Sequence, residues 1–154
     1  MNRIPETDSL NNPVDDMTDF VGGDWNSWTP RAAGPGWVIH NNVVDEWYAV
    51  HLANQPWPNA SGPMLGKEYP VVQGKTYSFT VKITVPYIPQ GRRELYLSVQ
   101  GERAPSFSLE PLESQVLTYN FVAKSNSADF IVNSALPSFE RRSFSINFIH
   151  VKEI

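Results

Sequence analysis

Lys75-Thr76-Tyr77-Ser78-Phe79-Thr80-Val81-Lys82-Ile83-Thr84-Val85 is the stretch on which the reading of the fold turns. Tyr77, Phe79, Val81, Ile83 and Val85 alternate with Thr76, Ser78, Thr80, Lys82 and Thr84. Successive side chains on a strand point to opposite faces, so this pattern fits a strand with one face in a core and the other in water. Gln73-Gly74 supplies the turn before it. Pro86 ends it, because proline has no N–H to give to a ladder.

Working outward, the same period recurs. Leu95, Leu97 and Val99 alternate with Glu94, Tyr96 and Ser98, and Gly101 closes that strand. Ser114 to Ala123 alternates through Leu117, Tyr119 and Phe121. Lys124-Ser125-Asn126-Ser127 is a turn by composition, and Ala128 to Asn133 follows as a short strand. Arg142 to Ile154 reads as a long closing strand. Phe144, Ile146 and Phe148 hold one parity, then Ile149 and Val151 take the other, which predicts a bulge or crossover near Phe148-Ile149. Gly36 to His40 and Val43 to Leu52 read as strands of the first half. Ala53 to Gly66 (ANQPWPNASGPMLG) reads as a long ordered loop of the kind that often carries function.

About eight short strands with turn-rich joints, and no apolar period of 3.6, predict an all-β antiparallel β-sandwich of jelly-roll type. Thirteen prolines and nine glycines agree with frequent turns. Residues 1–16 are polar and aperiodic and read as an N-terminal arm or linker, leaving 17–154 as one β-sandwich domain. A chain of 154 residues buries roughly 70% of its unfolded surface, so its core needs no metal or disulfide.

Composition removes several functions. Sixteen acidic residues outnumber twelve basic ones, which argues against nucleic acid as a partner, since such binding depends on neutralising phosphates. Cysteine is absent, which excludes a disulfide framework, a thiolate zinc site and a thiol nucleophile. No apolar run is long enough for a spanning helix, so membrane insertion is not expected. The N-terminus lacks an apolar h-region and reads as no signal peptide, which fits a cytosolic protein, export by another route, or one domain of a larger protein.

Catalytic signatures are equally sparse. His40, His51 and His150 lie on separate strand-like segments without HxH or HxxxH spacing. Asp15-Asp16 and Asp45-Glu46 are adjacent in sequence, and neighbours on a strand face opposite ways, so neither is a ready acid/base pair. The reading is non-enzymatic. A hydrolase would need two carboxylates brought together in a cleft by folding.

The aromatic residues point elsewhere. All five tryptophans fall between Trp25 and Trp57. Rings stack on the apolar faces of sugars while amides and carboxylates bond the hydroxyls. Trp57 lies in Gln55-Pro56-Trp57-Pro58-Asn59, where two prolines either pre-organise an exposed ring or fold it back as a plug. Trp47 and Tyr48 are adjacent on a strand, so one faces in and one out. Trp25 and Trp28 are read with at least one in the core. The candidate ligand-binding set is Trp57, Trp47, Tyr48, Gln55, Asn59 and Arg92. Asp19 and Asp24 are candidate oxygen ligands for a structural calcium.

With these residues in place, the chain resembles the carbohydrate-binding modules of galactose-binding-like jelly-roll fold, the type appended to cellulases and xylanases. Three stretches carry the resemblance: Asp19 to Trp28 (DFVGGDWNSW), Val72 to Val81 (VQGKTYSFTV) and Phe144 to Ile154. The opening is also similar to domains of large bacterial surface or secreted proteins. The resemblance implies a non-catalytic, lectin-like module that binds a glycan or polysaccharide, in an extracellular or cell-surface setting. Its alternative is a structural or protein-interaction domain of a bacterial adhesin or toxin. Family members often place an acidic calcium ligand in the closing strand, and here that strand offers no carboxylate before Glu153.

Overall fold

The computed structural model describes residues 13–33, 36–41, 46–51, 61–84, 94–109, 114–135 and 144–154. Twelve strands appear among them: β1 (Asp15–Thr18), β2 (Thr29–Pro30), β3 (Trp37–Asn41), β4 (Trp47–His51), β5 (Gly62–Pro70), β6 (Thr76–Thr84), β7 (Glu94–Val99), β8 (Glu102–Arg103), β9 (Phe107–Ser108), β10 (Ser114–Val122), β11 (Ser127–Ser134) and β12 (Phe144–Glu153). They form two antiparallel sheets packed as a sandwich. The first runs β10-β6-β12-β4-β3, with β1 also paired to β12. The second runs β2-β5-β11-β7-β8, with β9 also paired to β7. The antiparallel sandwich expected from the alternation is the observed architecture.

The decisive stretch behaves as its pattern requires. Tyr77, Phe79, Val81 and Ile83 of β6 are fully buried, and the residues between them are half-buried on the outer face. The turn before it is built around Gly74, whose φ of 89° favours glycine and whose N–H reaches the Ala123 carbonyl at 2.8 Å. The Tyr77 hydroxyl closes the same turn by accepting the Val72 N–H at 2.8 Å.

The core is aromatic at its centre. Trp28 stacks on Phe79, with ring centroids 6.1 Å apart, and meets Tyr69 edge-on at 6.2 Å. Phe130 of the second sheet meets both Tyr69 and Phe79 edge-on, at 5.2 and 5.3 Å. Each such side chain contributes about 1.5–3 kcal/mol by burial. The buried indole N–H groups are satisfied: Trp28 Nε1 donates to Thr18 Oγ1 at 3.2 Å, and Trp37 Nε1 to the Met64 carbonyl at 3.2 Å.

Two details differ from the sequence reading, and a third agrees with it. β1 begins at Asp15, two residues inside the stretch assigned to the arm, because Asp15 and Asp16 pair in register with Lys152 and Val151. β5 occupies the end of the stretch read as one long loop. Its Met64, Leu65 and Gly66 are consecutively buried, so it shows no alternation, and its order comes from β11 on one side and β2 on the other. Pro63 is accommodated where the β5–β11 register shifts, between Val132 and Asn133. The bulge expected in the closing strand is present and falls at Asn147. Ile146 pairs with Ile83 and Phe148 with Lys82, so Asn147 is the extra residue of a bulge.

Candidate functional site

The outer face of the first sheet is hydroxyl-rich. Ser78, Thr80, Lys82 and Thr84 of β6 share it with Ser114, Val116 and Thr118 of β10, paired in register. Thr80 and Thr118 hydroxyls lie 3.2 Å apart. Across β12, the bulge puts two successive half-exposed residues, Asn147 and Phe148, between the buried Ile146 and Ile149. A regular strand would have turned one of them inward.

Two adjoining depressions open on this face. One, of about 470 Å³, is lined by Glu46, Tyr48, Lys82, Thr84, Ser114, Ser145 and Asn147. The other, of about 460 Å³, lies toward the end of β1 and includes Met17, Asp19, Val21, Trp47 and Phe148. Glu46, Lys82 and Asn147 line both. The second depression exists because β12 pairs with β4 along Phe144–Ile146 and with β1 along Ile149–Lys152, leaving a gap between the two partners.

Trp47 and Tyr48 take opposite parities on β4, as adjacent strand residues must. Trp47 packs partly against the core and still lines the second depression. Tyr48 pairs with His40 of β3, and their rings stack at 6.1 Å and 22° beside the first depression. The fold thus brings these two candidates to neighbouring parts of one surface. Gln55, Trp57, Asn59 and Arg92 lie outside the described residues.

Of the calcium candidates, Asp19 lines the second depression and its Oδ1 accepts the Val21 N–H at 3.2 Å. Asp24 Oδ1 accepts the Asn26 N–H at 2.8 Å. Both therefore close short turns. Among the described residues no group of three or more His, Cys, Asp or Glu side chains converges as metal ligands would.

Sequence reasoning missed Lys82, Thr84, Ser114, Ser145, Asn147 and Glu46 as site residues. Their wet-face positions were legible from the alternation, but which strands lie side by side was not. The misplaced apolar phase in β12 was the one signal that pointed at Asn147.

No protein-family model matches the chain, and no curated protein does. Solved structures do. The C-terminal domain of EclA, a sugar-binding protein, superposes with a TM-score of 0.63 at 25% identity, covering 91% of this chain and all of that one. The C-terminal family 22 carbohydrate-binding module of Clostridium thermocellum Xyn10B gives a TM-score of 0.65 at 13% identity, covering 86% of this chain and 89% of that one. TmCBM61, solved with β-1,4-galactotriose, gives 0.62 at 11% identity, covering 88% and 94%. The fold is the one that these carbohydrate-binding modules share, as the resemblance in the sequence implies.

Proposed function

We propose that this chain is a non-catalytic carbohydrate-binding module and that its glycan lies across the outer face of the first sheet. One observation carries the reading: two adjoining depressions share a polar wall of Glu46, Lys82 and Asn147 and are flanked by the rings of Tyr48 and Trp47. Rings beside placed donors and acceptors are what a sugar with one apolar face and a rim of hydroxyls requires. The likeness in fold to modules named for sugar, xylanase and galactotriose contexts supports it. Fold alone would not suffice, because one fold hosts many functions.

Gln55, Trp57, Asn59 and Arg92 belong to the proposal on their chemistry: a ring, two amides and a guanidinium suited to sugar contacts. An extracellular or cell-surface setting, within a longer protein, belongs to it as well. A single shallow site of this kind binds in the micromolar to millimolar range, roughly −8 to −4 kcal/mol, and gains by repetition.

The test is a glycan array on the purified chain beside Tyr48→Ala, Asn147→Ala and Trp57→Ala. Binding lost in the first two variants assigns the outer face. Binding lost only in Trp57→Ala assigns the Ala53–Gly66 stretch instead. Absence of binding by any protein favours the protein-interaction reading, which draws on the exposed Val116 and Val122 of the edge strand β10. A calcium role for Asp19 and Asp24 is read from the melting temperature with calcium and with chelator.

A further inference from the structure

The wall shared by the two depressions holds two hydrogen-bond donors, Asn147 Nδ2 and Lys82 Nζ, that have no partner among the described residues. Thr84 has one hydroxyl hydrogen, and it goes to Asn147 Oδ1 at 2.8 Å. Its 2.8 Å contact with Ser114 must then have Ser114 as the donor. This relay, from Ser114 to Thr84 to Asn147, fixes the amide with its oxygen committed to β6. Its Nδ2, the donor end, makes no hydrogen bond among the described residues.

Lys82 is in the same condition. Its cross-strand neighbours are Val116 on β10 and Phe148 on β12, both apolar. Among the described residues its ammonium takes part in no hydrogen bond or ion pair, although it lines both depressions. The carboxylates that share its surroundings, Glu46 and Asp19, belong to the β4 and β1 side. The hydroxyls that share the first depression with it, Thr84 on its own strand, Ser114 on β10 and Ser145 on β12, carry no charge.

Resting on the glycan reading of this face, we infer that Lys82 of β6 and the Asn147 amide of the adjacent β12 receive an anionic substituent of the glycan, a uronic acid carboxylate or a sulfate ester. A sugar hydroxyl is donor as well as acceptor and would leave part of such a wall unanswered. An anion only accepts, so it can use the ammonium and the amide together. Charge-assisted bonds of this kind are roughly twice as strong as neutral ones. Lys82 is thus a specificity-determining residue, which sorts charged from neutral polymers.

The test uses the full chain against uronate polymers (polygalacturonate, alginate, hyaluronan, glucuronoxylan) and sulfated ones (chondroitin sulfate, carrageenan). Each is run beside its carboxyl-reduced or desulfated form, at low and at physiological salt. The expected result is that at least one anionic polymer binds about tenfold more tightly than its neutralised form. Lys82→Met and Lys82→Gln should abolish that preference, and the losing arm tells carboxylate from sulfate. If glycans bind but no anionic form is preferred, the inference fails and the glycan reading stands. The inference also fails if both Lys82 variants, folded as judged by melting temperature, keep the preference. If nothing in this panel or on the glycan array binds, the glycan reading falls and takes the inference with it.

Discussion

The Asp16 carboxylate on β1 of the first sheet accepts the hydroxyl of Tyr69, which stands on β5 of the second, so that a polar contact bridges the sandwich at its edge. Lys67 Nζ reaches the same carboxylate at 3.0 Å, and Asn26 Nδ2 holds both of its oxygens at 3.0 Å. Burial alone would raise the pKa of this group. The Tyr69 hydroxyl, the Asn26 amide and the Lys67 ammonium outweigh burial and hold it below the ordinary aspartate value of 3.8.

A depressed carboxylate pKa stabilises the fold fully above the unfolded value and less and less as pH falls through the folded value. Asp16→Asn should therefore cost about 1–3 kcal/mol at pH 7, since it also strands Lys67. The gap between the variant and the parent should shrink below about pH 4. Urea denaturation at pH 7 and pH 3 checks this, and an equal gap at both values would refute it.

Trp47 and Tyr48 should separate stability from binding. Tyr48→Ala removes a ring from the outer face and should leave the midpoint of denaturation nearly unchanged while glycan affinity falls about tenfold. Trp47→Ala also uncovers core surface, so it should lower both, stability by about 1–2 kcal/mol. Calorimetric titration beside denaturant melts distinguishes the two patterns.

Two glycines should rank against intuition. A Cβ on the buried Gly66 would sit 2.6 Å from Arg31 Cζ, within a guanidinium that pairs with Asp129 through two bonds of 2.7 Å. The guanidinium is the end of a flexible chain and can swing away, so Gly66→Ala should cost no more than the pair itself, about 0–1 kcal/mol. Exposed Gly74 has open space around it but a φ of 89°. Gly74→Ala should cost about 1–2 kcal/mol by backbone strain alone. Chemical denaturation of both variants tests the order.

Trp28 should be the least replaceable ring. It is 2% exposed, stacked on Phe79, and hydrogen-bonded to Thr18. Trp28→Ala should cost about 3–5 kcal/mol, and a drop of less than 1 kcal/mol in denaturant titration would contradict the packing described.

What the sequence by itself determined is the set of faces. Alternation along Thr76–Thr84 fixed which residues enter the core, because the strand period is two and permits no other assignment once one face is apolar. Position by position, the same rule marked Lys82 and Thr84 as wet and predicted a break of phase in the closing strand. The tertiary structure alone decided which wet residues meet. Asn147 faces the site because a bulge opposite β6 inserted it there, and Thr84 orients its amide from a strand 63 positions away in sequence. Nor could local pattern reveal β5, which is buried through consecutive residues and held by neighbours on both sides. Local periodicity states how a strand is oriented. Which strands lie beside it is set by long-range pairing, and the site is a product of that pairing.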